Sequence, residues 1–172
     1  MAGVTCYYAV MATSTPARTA LLGFLAGEGR DGAGRTLEEV LAFDDRAIER
    51  HHDFIQWLFP LPEPSGANPA APVLTAAEIA AVRADPGLQA AIKRALQRMS
   101  AFYAATSHWL VPDDHNHLRI TRIIRSSGLL LGREAAEQFY RLVLARNAST
   151  ASPVSERSRQ FWRTALDGLP SD

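Results

Sequence analysis

Cysteine is almost missing from this chain. Cys6 is the only one in 172 residues, which excludes an internal disulfide and a thiolate metal cage. No signature of an activated thiol surrounds it. Net charge is missing too: 18 basic and 18 acidic side chains cancel. No global field therefore draws in nucleic acid or anionic lipid, and any electrostatic recognition has to come from a local patch. Lysine is nearly absent, with Lys93 alone beside 17 arginines. Together with abundant alanine, that bias reads as the codon usage of a GC-rich, bacterial genome. No apolar run approaches the roughly 20 residues that span a bilayer, and Met1 to Ala12 lacks the basic start of a signal peptide. A cytoplasmic protein without a membrane span is expected.

What is present is an ordinary globular composition, 47% apolar and 21% charged, at a length that suits one core rather than two. Residues 1–15 read as an N-terminal tail, although Val4 to Met11 has strand-like composition. Pro16 suits the first turn of a helix running to about Ala26. Gly27 to Gly34 holds four glycines. It lacks the Lys-Ser/Thr that would follow in a phosphate-binding loop, and reads as a plain flexible connection. Thr36-Leu37-Glu38-Glu39 and Thr75-Ala76-Ala77-Glu78 are capping boxes that start helices. Asp44 or Asp45 can cap a helix that ends at Phe59, because Pro60 disfavours helix in its predecessor. Residues 60–74 carry five prolines and form a stiff irregular crossing.

Asp85-Pro86 opens the clearest periodic segment. Leu88, Ile92, Ala95, Leu96, Met99, Phe102 and Tyr103 recur on one stripe at the helical period. Further helices are expected over about 115–127, with Gly128 as a break or a bend, over 134–146 and over 155–166. The fold class is all-α: a single-domain bundle of about six to eight helices over residues 16–168, crossed by the proline-rich loop.

Two runs can carry chemistry. If the first is helical, Ile48, His52, Ile55 and Phe59 share a core face. His52 then points inward, with Asp53 beside it. Such a pair can act as a general base and its orienter; it can equally be a core histidine hydrogen-bonded to a carbonyl. His51 is expected in solvent. In the second run Ile120, Ile123 and Ile124 form an apolar face. Arg119, Arg122 and Arg125 form a strip at i, i+3, i+6, suited to phosphate or carboxylate. The same strip can instead pair with Asp44-Asp45 or Glu38-Glu39. Asn116 is either an N-cap or a pocket-facing side chain. His51, His52, His115 and His117 lack the spacing of a helical metal site, so no metal and no cofactor is expected.

His52-Asp53-Phe54-Ile55-Gln56-Trp57-Leu58-Phe59-Pro60, with the flanking Gly34 to Glu39, Phe43-Asp44-Asp45, Asn68, Ala71-Pro72 and Leu74-Thr75, resembles the conserved domain of the opioid growth factor receptor family. The run from His115 to Ser126 extends the resemblance. Animal members look like receptors for an enkephalin growth factor, associated with the nucleus, with long segments after this domain; the present chain resembles a short stand-alone microbial form. It departs from the family pattern at Ser127 to Gly132. The resemblance implies a site in which His52, Asp53, Gln56 and Trp57 face Asn116, His117, Arg119 and Arg122 under the 60–74 loop. The expected function is a ligand-binding helical module for a small anionic molecule or a peptide, with signalling receptor activity at the level of the family. The alternatives are a cofactor-independent enzyme using His52 and Asp53, and a protein or nucleic-acid interface on the arginine strip. Nucleic acid is disfavoured by the zero net charge. Oligomeric state is not legible.

Overall fold

The computed structural model describes residues 18–170 apart from Ser152. The N-terminal tail expected over residues 1–15, with Cys6, and the expected helix start at Pro16 lie outside them. Nine helices are present among the described residues: α1 (Ala20–Leu25), α2 (Leu37–Leu41), α3 (Asp45–Arg50), α4 (Ile55–Leu58), α5 (Ala76–Ala84), α6 (Pro86–Ala105), α7 (His115–Leu131), α8 (Arg133–Ala148) and α9 (Glu156–Asp167). The only β contact among them is an isolated parallel bridge between Leu61 and Val73.

The caps follow from side-chain oxygens placed where the first helical N–H groups lack partners. Thr36 and Thr75 form complete capping boxes with Glu39 and Glu78. Asp44, Asp85, Asp114 and Ser155 cap α3, α6, α7 and α9. Glu78 also accepts from Thr19 at 2.6 Å, tying α5 to the start of α1. Burial alone would raise the Glu78 carboxyl. The hydrogen bonds from Thr19 and Thr75 outweigh that and hold it below the usual carboxylate range.

Helix α7 lies at the centre, against α5, α6, α8 and α9. Its Ile120, Ile123, Ile124 and Leu130 are fully buried, and α6 meets the same core with Ile92, Ala95, Met99, Phe102 and Tyr103. The expected α6 stripe is therefore the core face, with Leu96 half-buried at its edge and Ala91 added to it. The smaller α1–α4 pack over the far side, and the 61–73 loop closes on itself where Leu74 N–H donates to the Leu61 carbonyl at 2.9 Å.

Two expectations need correction. The segment from Asp45 to Phe59 is two helices. His51 is extended (φ −93°, ψ 133°) and ends α3, which destroys the common face: Ile48, Ile55 and Phe59 are buried while His52 is exposed. His51, expected in solvent, is half-buried and stacks on Phe43 at 5.1 Å.

Gly128 does not break α7, which runs on to Leu131. The glycine is there for space: a Cβ would lie 2.3 Å from Leu169 Cδ1. Alanine at that position gains up to about 1 kcal/mol of helix propensity, but overpacking costs about 1–3 kcal/mol. Gly128→Ala is accordingly expected to lower stability by about 1 kcal/mol, a Tm drop of about 2–4 °C by thermal unfolding. An unchanged or higher Tm would show that Leu169 moves away freely.

Candidate functional site

Asp31 organises one wall. It is buried, and its Oδ1 accepts from the Ala33 and Arg35 amides, each at 2.9 Å, while Oδ2 accepts from Arg35 Nε at 2.7 Å. The glycine-rich segment, expected to be a flexible connection, is thus a fixed turn around a carboxylate. It sets Gly32 and Ala33 against Trp57, and a Cβ on Gly32 would sit 3.5 Å from the indole Nε1.

Arg119 organises the opposite side. It is buried, and its four terminal N–H bonds are all spent: NH1 donates to the Ile48 carbonyl (3.1 Å) and Asn116 Oδ1 (3.3 Å), NH2 to the His51 carbonyl (2.7 Å) and His52 Nδ1 (3.1 Å). These bonds hold the α3–α4 break open. Gln56 completes it. With its amide oriented to satisfy its neighbours, it donates to the Asp53 and His52 carbonyls at 3.1 and 3.3 Å.

His52 stands between two chambers. One, of about 380 Å³, is lined by Gly32, Ala33, His52, Asp53, Trp57 and Asn68, with Ala67 and Ala70 from the proline-rich loop. The other, of about 260 Å³, is lined by His52, Gln56, Ser65, Ala67, His115 and Arg122, with Ile55, Leu118 and the stem of Arg119. Because Arg119 donates to Nδ1, the neutral His52 ring carries its proton on Nε2. Partial desolvation of the ring, then the Arg119 charge and the His115 ring 4.9 Å away, hold it below the ordinary imidazole value. Asp53 makes no hydrogen bond to it; its carboxylate lies 3.0 Å from Arg35 NH2. The pair of adjacent residues proposed as base and orienter is therefore not coupled in this geometry.

The two chambers differ in charge. Around the first, Asp31, Arg35 and Asp53 are two carboxylates sharing one guanidinium, a net charge of −1. Around the second, Arg119 and Arg122 are two cations, with Glu49 lying 3.9 Å from Arg119, while Arg125 is neutralised by Glu63; the sum is +1. Arg122 is the available cation of the strip. It is half-buried and, among the described residues, has a single acceptor, the Phe59 carbonyl at 3.1 Å. Burial and the neighbouring Arg125 pull it below the ordinary guanidinium value. Trp57 is 8% exposed, packs edge-to-face on Phe24 at 5.5 Å, and its indole N–H has no acceptor among the described residues.

Of the eight residues expected in the site, His52, Asp53 and Trp57 line the first chamber, and His52, Gln56, Arg119 and Arg122 the second. Asn116 lines neither. The N-cap is Asp114, and Asn116 is buried beneath it, bonded to Asp114, Glu49, Tyr103 and Arg119. His117 lies elsewhere, bonded to Ser158 and the Trp109 carbonyl. The acidic residues imagined as partners of the strip are taken by α6: Glu38 by Arg94 at 2.7 Å and Asp45 by Arg98 at 2.8 Å. Asp31, Gly32, Arg35, Glu49, His115 and Asn68 were not singled out for the site. For Asp31 a signal existed, since Asp31-Gly32, with Gly34 two residues on, is turn chemistry.

Comparison with known proteins agrees with the resemblance. Residues 34–107 match the model of the opioid growth factor receptor conserved region. The chain is 31% identical over 138 residues to the opioid growth factor receptor of Rattus norvegicus, covering 70% of this chain and 23% of that protein. It is 31% identical over 138 residues to the Mus musculus receptor, covering 70% and 21%, and 34% identical over 104 residues to the Homo sapiens receptor, covering 48% and 15%. The chain thus spans less than a quarter of the length of these relatives. No solved structure matches it.

Proposed function

Since the chain carries the opioid growth factor receptor conserved region, we propose that it is a ligand-binding helical domain whose divided cleft holds a peptide, or a small zwitterion, by its two ends. The observation that carries this reading is the opposite charge of two adjoining chambers. A carboxylate fits Arg122, whose remaining N–H donors suit bidentate binding. An ammonium or guanidinium fits Asp53, and the Trp57 indole N–H in the same chamber suits a carbonyl. The relatives' printed name, a growth factor receptor, is compatible with such a ligand. A bacterial origin, argued from the arginine- and alanine-rich composition, and a cytoplasmic location belong to the same proposal; among the described residues no helix is long and apolar enough to cross a membrane.

The enzyme reading has less support, because Asp53 pairs with Arg35 and His52 Nδ1 is occupied. The interface reading has less support because Arg119 is buried and Arg125 is paired.

Calorimetric titration with short peptides tests the proposal. Peptides with a free C-terminus are expected to bind at least about tenfold more tightly than their amidated forms, about 1.4 kcal/mol. Arg122→Ala is expected to remove that difference, and Gly32→Leu to plug the first chamber. Gly32 tolerates a side chain conformationally, since its φ is not positive. Equal affinity for free and amidated peptides, or binding untouched by Gly32→Leu, would sink it.

A further inference from the structure

We infer that Ser158 and His117 form a second, separate site: a nucleophile and its base for hydrolysis of a small neutral ester. His117 Nε2 lies 2.9 Å from the Trp109 carbonyl, which can only accept, so Nε2 carries the proton and the ring is held in one orientation. His117 Nδ1 is therefore the free lone pair, and it lies 2.9 Å from Ser158 Oγ. A hydroxyl donating to an imidazole whose other nitrogen is anchored is the arrangement that activates serine; here a backbone carbonyl anchors the ring in place of a carboxylate.

The pair is not sealed in the core. Both residues line a pocket of about 170 Å³ with Leu118, Thr121, Arg157, Phe161, Asp113 and Asp114. Leu118 and Phe161 are 71% and 49% exposed and give it an apolar rim, suited to a short acyl or aryl group. The aspartates disfavour an anionic substrate. Ser158 is the third residue of α9, in the turn that carries the positive end of that helix, and Arg157, over the Phe161 ring, lines the same pocket. Ser155 Oγ, 3.2 Å away, braces the hydroxyl.

In the step, Ser158 Oγ forms a bond to the ester carbonyl carbon as its proton passes to His117 Nδ1. The bond from that carbon to the alkoxy oxygen breaks, and His117 returns the proton to the departing alkoxide. Water then attacks the acyl carbon, gives a proton to Nδ1, and Ser158 leaves as the hydroxyl on recovering it. The sum is ester plus water to acid plus alcohol, with no other reactant. None of the cleft residues takes part, so this site stands or falls independently of peptide binding.

The test treats the whole chain with a fluorophosphonate probe and with p-nitrophenyl butyrate. A single adduct mapping to Ser158 is expected, with hydrolysis falling to under a tenth in Ser158→Ala and an adduct retained on the thiol of Ser158→Cys. If Ser158 is unlabelled in the native protein, or Ser158→Ala hydrolyses the ester as fast as the native protein, the pair is a structural hydrogen bond and the inference is overturned. Should Ser158→Ala not fold, labelling of the native protein alone decides.

Discussion

Arg119→Ala is expected to lower unfolding stability by about 3–5 kcal/mol, the loss typical of removing one member of a buried, hydrogen-bonded charge network. Domains of this size are stable by about 5–15 kcal/mol, so the variant would be marginal. The cause is local. The guanidinium satisfies the carbonyls of Ile48 and His51, which the end of α3 leaves without helical donors, and it also bonds Asn116 and His52. Alanine strands the Ile48 and His51 carbonyls, leaves Asn116 Oδ1 with the Tyr103 hydroxyl as its remaining donor, and opens a cavity over Phe54, on whose ring the guanidinium sits at 5.8 Å. Arg119→Lys keeps the charge without the planar fork and should fall between. Urea unfolding gives the number, and Arg122→Ala is the comparison: one helical turn away, half-buried, with one protein hydrogen bond, it should cost only about 1 kcal/mol. If the two variants lose the same, Arg119 does not carry the break.

Asp31→Ala is expected to cost about 2–4 kcal/mol, since it strands the Ala33 and Arg35 amides and removes one of the two carboxylates on Arg35. Amide exchange at Ala33 and Arg35 should accelerate along with the loss. Asp31→Asn keeps an acceptor for both amides and should lose less. Stability within about 0.5 kcal/mol of the native protein would mean that the turn is held by its backbone alone, through the Asp31–Arg35 and Gly34–Asp31 hydrogen bonds.

The elements most legible in the sequence were those whose signal is local. Capping boxes at Thr36 and Thr75, the Asp85-Pro86 start and the seven-residue stripe of α6 each depend on neighbours within two or three turns, and the structure agrees with them. What failed depended on distant partners. Nothing near His51 announces that a guanidinium 68 residues away will hold its carbonyl, so helix periodicity was carried straight through the break and His52 was turned inward. Gly128 looks like a helix breaker until Leu169 is seen against it. The site was half legible for the same reason. The family resemblance brought His52, Asp53, Gln56, Trp57, Arg119 and Arg122 to one cleft, but not the roles within it: Arg119 is a tether, Arg122 an open donor, and the opposing charge comes from Asp31, in a loop dismissed as flexible.

The tether has a consequence for how this protein is divided. The match to the conserved-region model ends at residue 107, although the likeness to the rat and mouse receptors covers 70% of the chain; the break inside the matched region is held from residue 119, and the buried face of α6 is covered by α7 and α8. The conserved-region model and the cooperative unit therefore have different borders. The stretch that the model delimits is only part of a folding unit, and the helices beyond it are under the same physical constraint to keep α7 in place.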